Sequence, residues 1–158
     1  MLQPMRQFIR VIDPIHYDPI KREFKSLAFK PLHDRNNPDA QPGISVFEQP
    51  CAELESLSVC LHIRRYYPHL SSTPPVHLPI DDTACPPECI IEPSVSNTGD
   101  PCHYDLMGWP EAQARRFLKS KQLSDFLFCH EDGAHPTDHE ELDALRIARE
   151  KEKGLLDR

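Results

Sequence analysis

Seventeen prolines against five glycines set the first limit on what these 158 residues can fold into. Proline fixes one backbone dihedral and carries no N–H, so it ends helices and cannot donate to a sheet ladder. The sequence therefore predicts short elements joined by extended, fairly rigid connections. A chain of this length buries roughly 70% of its unfolded surface, enough for a core without disulfides or a metal.

The strand candidates are bounded by these prolines. RQFIRVID (6–13) reads as a strand stopped by Asp13-Pro14, and FKSLAFKP (24–31) as a second with Phe24 and Phe29 near its ends. GISVFEQP (43–50) is a third, and VHLPI, CIIEPSV and CHYDLMGW (102–109) are further short runs. The proline inside VHLPI and the one inside CIIEPSV suit edge strands. LSDFLFC (123–129) reads as a last strand. Leu54, Leu57 and Leu61 share one helical face over 51–65, and a second helix starts at Pro110. Thr137 and Glu140 match a capping box for a third, running to about Lys153 with Gly154 as its stop.

This order gives an α+β fold: a small mixed or antiparallel sheet with two to three helices and proline-rich connections. Residues 1–133 are expected to form one α+β domain and 134–158 a solvated C-terminal helix. That helix shows only Leu142, Leu145 and Ala148 on its apolar face, so its removal is expected to leave the body folded.

The net charge of -7 is unevenly spread. Residues 1–30 hold six Lys or Arg against three acids, whereas residues 31–100 hold three against ten. No extended basic face is written, so nucleic acid is not expected as a partner. No run approaches the ~20 apolar residues of a membrane span. The first residues lack the apolar stretch of a signal peptide, so the reading is cytoplasmic, with six reduced cysteines.

One hexamer occurs twice. DPIHYD (13–18) and DPCHYD (100–105) match at five of six positions. Asp-Pro holds a constrained turn before each histidine, and the aspartate two residues on shares its face if the segment is extended. The expectation is a paired site in one cleft, one of His16 and His103 acting as general base and the other as general acid, with Arg10 or Ser26 near its wall and Arg10 suited to stabilise a phosphate or an oxyanion.

The set Arg10, Ile12, Pro14 and His16; Ser26, Ala28 and Phe29; Ser45 and Val46; Pro101 and His103; then Arg115 and Arg116 resembles a class of small bacterial proteins without an assigned activity. These carry Arg-x-Ile-x-Pro-x-His, Ser-x-Ala-Phe, Ser-Val and a later Pro-x-His before a basic helix. This chain departs from them at Lys25 and Tyr104. The resemblance implies corresponding special places for the two histidines and supplies no activity.

Cys85, Cys89, Cys102, His103, Cys129, His130, His135 and His139 are of ligand type, but the Cys85–Cys89 gap is filled by two prolines rather than a knuckle turn. No structural zinc and no cofactor is expected. No Walker loop or nucleophile elbow is present. The function read from the sequence is a non-catalytic interaction or accessory protein whose partner is another protein. The alternatives are an enzyme acting on a phosphate-containing or nucleotide substrate through His16 and His103, and a zinc-stabilised module.

Overall fold

The computed structural model describes residues 6–31, 43–48, 75–93, 102–130 and 133–154. The helix expected at 51–65 lies outside them. The strands are β1 (Gln7–Ile12), β2 (Tyr17–Asp18), β3 (Glu23–Phe24), β4 (Gly43–Glu48), β5 (Val76–Asp81), β6 (Ile90–Pro93), β7 (His103–Met107), β8 (Leu127–His130) and β9 (Gly133–Pro136). The helices are α1 (Glu111–Lys119) and α2 (His139–Glu152). Seven strands form one sheet in the order β6-β7-β4-β1-β5-β8-β9, and β2 pairs with β3 as a separate hairpin. Every pairing is antiparallel, so the fold is α+β with a wholly antiparallel main sheet.

The prolines fit this sheet in two ways. Pro93 ends the edge strand β6, as expected. Pro79, in contrast, lies within β5, which is an interior strand. It is tolerated there because β8 pairs only with Val76 and His77, so no described strand pairs with the rest of β5 on that side.

Strand alternation sorts the side chains of β1 onto two faces. Phe8 and Ile12 enter the main core with Ile44, Val46, Leu78, Ile80 and Leu106, and Ile9 packs on the other face with Val11 and Phe47. The main core is closed by Phe24, Phe29, Trp109, Leu118 and Phe126. A Cβ at Gly43 in β4 would lie 2.6 Å from Met107 Sδ, so the methionine side chain would have to move aside.

Residues 24–31 do not form the expected strand. Phe24 belongs to β3, and Ser26–Phe29 form a 3-10 turn. Phe24 and Phe29 are an odd number of residues apart, so one strand would send them to opposite faces. The turn puts both in the same core. Leu123–Asp125 likewise form a 3-10 turn, closed by Asp125 Oδ2 accepting from the Gln122 amide at 2.7 Å, before β8 begins.

The C-terminal helix also departs from expectation. Its cap is Asp138, whose Oδ1 accepts from the Glu141 amide at 2.8 Å. Thr137 is buried instead and donates to the Leu123 carbonyl. A boundary at 133/134 would cut β9, which pairs with β8. Leu142 and Leu145 lie in the main core, and Arg149 reaches Asp13 at 3.0 Å. The helix is therefore docked on the body rather than solvated on all sides: two leucines one turn apart suffice when the ion pair fixes its far end. Among the described residues no helix is long and apolar enough to cross a membrane.

Leu142→Ala is expected to cost about 2–5 kcal/mol, the range for a buried leucine, and to lower the melting temperature by about 5–15 °C. Thermal unfolding followed by circular dichroism measures it; a change within about 2 °C would mean that the helix contributes no core.

Candidate functional site

Arg10 occupies the core-facing row of β1, between Phe8 and Ile12. The β1–β4 ladder pairs Phe8 with Glu48 and Ile9 with Phe47, then stops, although β4 continues back to Gly43. Where it stops, Arg10 takes over. Its Nη1 donates to the Ser45 carbonyl at 2.8 Å and its Nε to the Ala28 carbonyl at 3.2 Å. Arg10 is half-buried as a residue, but its guanidinium is enclosed enough that loss of hydration alone pulls the pKa down to about 10. It remains a cation at neutral pH, and no carboxylate among the described residues offsets that charge.

His16 ends a 3-10 turn at Pro14–His16 that follows from the Asp-Pro step. Asp13 Oδ1 accepts from the Ile15 amide at 3.0 Å, Pro14 supplies a preset helical φ, and the His16 amide donates to the Asp13 carbonyl at 3.1 Å. The Asp13 carboxylate also holds Arg149 and, at 3.8 Å, Lys153. The turn is thus the seat on which α2 docks. Burial lowers the His16 pKa, with smaller lowering contributions from Lys153, Arg10 and Lys25 and an opposing one from Asp13. No hydrogen bond engages the His16 ring among the described residues. Lys25 donates its amide to the His16 carbonyl at 2.8 Å, so the 3-10 turn beginning at Ser26 starts beside it.

The aspartate two residues after His16 does not orient the ring. Asp18 Oδ1 accepts from the Ile20 and Lys21 amides and closes the β2–β3 turn. Tyr17 between them is fully buried, with its hydroxyl hydrogen-bonded to His139 Nδ1. In the second hexamer, Asp100 and Pro101 lie outside the described residues. His103 starts β7, where its Nε2 is hydrogen-bonded to Ser45 Oγ and its ring stacks on Phe47 with centroids 5.1 Å apart.

Three of the four expected residues therefore gather in one corner, where Arg10, His16 and the turn at Ser26 meet. His103 does not join them. It pairs with Phe47, which pairs with Ile9, so it lies two strand spacings from β1, ~10 Å, and on the face opposite Arg10. His16 follows the far end of β1, at least three residues beyond Ile9, or ~10 Å further along. The two rings share no cleft. Nor does a metal set form: no group of three or more His, Cys, Asp or Glu is placed to hold an ion among the described residues. Cys89 immediately precedes Ile90, which pairs with Met107, whereas Cys102 and His103 stand at the other end of β7, ~17 Å away. The side chains of Cys129 and His130 lie outside those described. His135 is paired with Glu141 at 3.0 Å.

Sequence reasoning missed Ser45 as the partner of His103 and Asp13 as the docking carboxylate. Asp before Pro marks the cap of the Pro14–His16 turn, but the pairing of that carboxylate with Arg149 carries no local signal. A second feature borders the β2–β3 hairpin. A cavity of about 270 Å³ is lined by Phe24, Leu118 and Phe126 and by Arg22, Glu23, Lys119 and Lys121. Arg22 holds a left-handed backbone, φ 55°, a strained conformation for arginine. Ile20, at the tip of the same hairpin, is 91% exposed. No protein-family model, no curated protein and no solved structure matches this chain significantly.

The depressed His16 pKa has a definite sign. The unfolded chain takes up the His16 proton at about pH 6.5, and the folded chain only lower. The stability His16 contributes is thus complete above about pH 6.5 and is lost as pH falls below it. Stability measured from pH 7.5 to 5 should decline less in His16→Gln than in the parent chain, and the His16 ring should titrate below 6.5 by NMR; a midpoint above 6.5 contradicts the geometry.

Proposed function

We propose that this chain is a recognition protein that holds an anionic group of a protein partner at the Arg10–His16 corner, and that it does not work by paired-imidazole acid–base chemistry. The observation that carries this reading is the Arg10 guanidinium, enclosed with no carboxylate among the described residues to offset it. An enclosed charge is costly unless paired, and a phosphate or carboxylate from a ligand would offset it. Guanidinium is also the group best shaped for such oxyanions.

The surroundings favour the same ligand. Among the described residues no hydrogen bond engages the His16 ring, and Lys25 and Lys153 add positive charge at the corner. Asp13, the opposing charge, is occupied by Arg149 and Lys153. This corner is positive in a chain of net charge -7. A partner segment rather than a free ion is supported by the adjoining hairpin, with exposed Ile20 and a cavity lined by apolar side chains, three cations and the Glu23 carboxylate.

Inorganic phosphate and an acidic peptide carrying one phosphoserine serve as probes in an NMR titration of the full chain. Both should shift the His16 ring and the Arg10 Nε–H, the peptide more tightly. Lys25→Gln and His16→Gln should each weaken binding about tenfold, the scale of one charge-assisted hydrogen bond. Saturating shifts that leave both groups unmoved, or the absence of shifts at tens of millimolar phosphate, would reject the reading.

A further inference from the structure

The sequence CPPEC at 85–89 is not used by the corner described above, and the structure places it elsewhere, at the β6 edge of the sheet. Two backbone hydrogen bonds shape it. The Cys85 amide donates to the Asp82 carbonyl at 3.2 Å, closing one turn, and the Cys89 amide donates to the Pro86 carbonyl at 2.9 Å, closing the next. Pro86 and Pro87 stiffen the second turn, so the two cysteines are held together before any bond forms between them. Their thiols are hydrogen-bonded to each other. Both are half-buried against the main core, while Pro87, Glu88 and Ile90 beside them are exposed. A pair of packing residues has no need of mutual contact or of access to solvent; this pair has both.

We infer that Cys85 and Cys89 form a redox-active dithiol that closes to an intramolecular disulfide by exchange with a low-molecular-weight disulfide. The order of events follows from the shared proton. Donation by the Cys85 thiol favours the thiolate at Cys89 and pushes the Cys85 pKa up, with burial adding to the rise at Cys85 and opposing the fall at Cys89. Cys89 sulfur attacks the small disulfide, its S–S bond breaks, and one small thiolate leaves. That thiolate takes the Cys85 proton. Cys85 then attacks Cys89 sulfur and displaces the second small thiolate. Two protein thiols are oxidised to one disulfide, and the small disulfide is reduced to two thiols. The inference is independent of the anion-binding reading.

The site carries its own analytical handle, because Glu88 separates the two cysteines. The full chain is equilibrated across ratios of reduced to oxidised glutathione, free thiols are alkylated, and the denatured protein is cleaved after Glu88. The expected result is two fragments that stay joined at oxidising ratios and part on reduction, unchanged in Cys102→Ser. Cys85→Ser should stop the reaction halfway and retain one glutathione on Cys89, with circular dichroism showing that this variant is folded. Fragments that part at every ratio would overturn the inference. So would cross-linking of either cysteine to Cys102, or a metal ion purified with the chain that occupies both sulfurs and blocks their oxidation.

Discussion

One guanidinium holds a corner of this fold in place. Arg10 ties three pieces of backbone together: its own strand β1, the Ser45 carbonyl of β4 and the Ala28 carbonyl of the 3-10 turn. The β1–β4 ladder has stopped at that point, so the Ser45 carbonyl is met by a side chain instead of a neighbouring strand. An unmet buried carbonyl costs about 1–3 kcal/mol, so the arginine cannot be exchanged for an apolar residue without loss. Through these bonds Ser26–Phe29 is pinned against the sheet, and Phe29 in turn packs edge-on against Trp109 with centroids 5.2 Å apart.

The same residue creates an electrostatic demand that no carboxylate among the described residues meets. Other cations close to the core are paired: Arg6 with Glu48, Arg146 with Asp143 and Glu150, Arg149 with Asp13 and Glu152. Arg10 alone meets only neutral carbonyls among the described residues. Carbonyls satisfy donors but do not cancel charge, and burial holds the guanidinium pKa below its ordinary value. His16 next to it responds in the same direction, since a neighbouring cation and burial both resist its protonation. The hexamer repeat that drew attention to His16 is thus two local solutions. In the first, Asp13 caps a turn and seats α2. In the second, His103 is fixed by Ser45 and Phe47 on the other face.

What could be read in the sequence was set by local chemistry. β1, β4, β5 and β7 were visible because each is a β-branched or aromatic run stopped by proline, glycine or a polar turn. α1 was visible from its proline start and basic end. The turn at Ser26–Phe29 was hidden because phenylalanines favour strands, and only the shared core reveals that Phe24 and Phe29 must point the same way. β9 was hidden because Gly133–Pro136 has no strand-forming run and pairs only because β8 lies beside it. The docking of α2 depends on Asp13 and Tyr17, more than a hundred residues earlier, which no window of sequence around the helix contains. Arg10, His16 and the turn at Ser26 come near one another because strand, turn and turn follow each other in the chain. The place of His103 was not legible, because it depends on strand order and face.

The account stands on an anion binding at the enclosed guanidinium. A crystal of the full chain grown without phosphate or sulfate and soaked in tungstate tests it most directly, because tungsten is located by its anomalous scattering. The account predicts a peak within hydrogen-bond distance of Arg10 Nη2 and beside the His16 ring, lost in crystals of His16→Gln. Peaks only at surface lysines, with the corner empty or filled by ordered water, would contradict it.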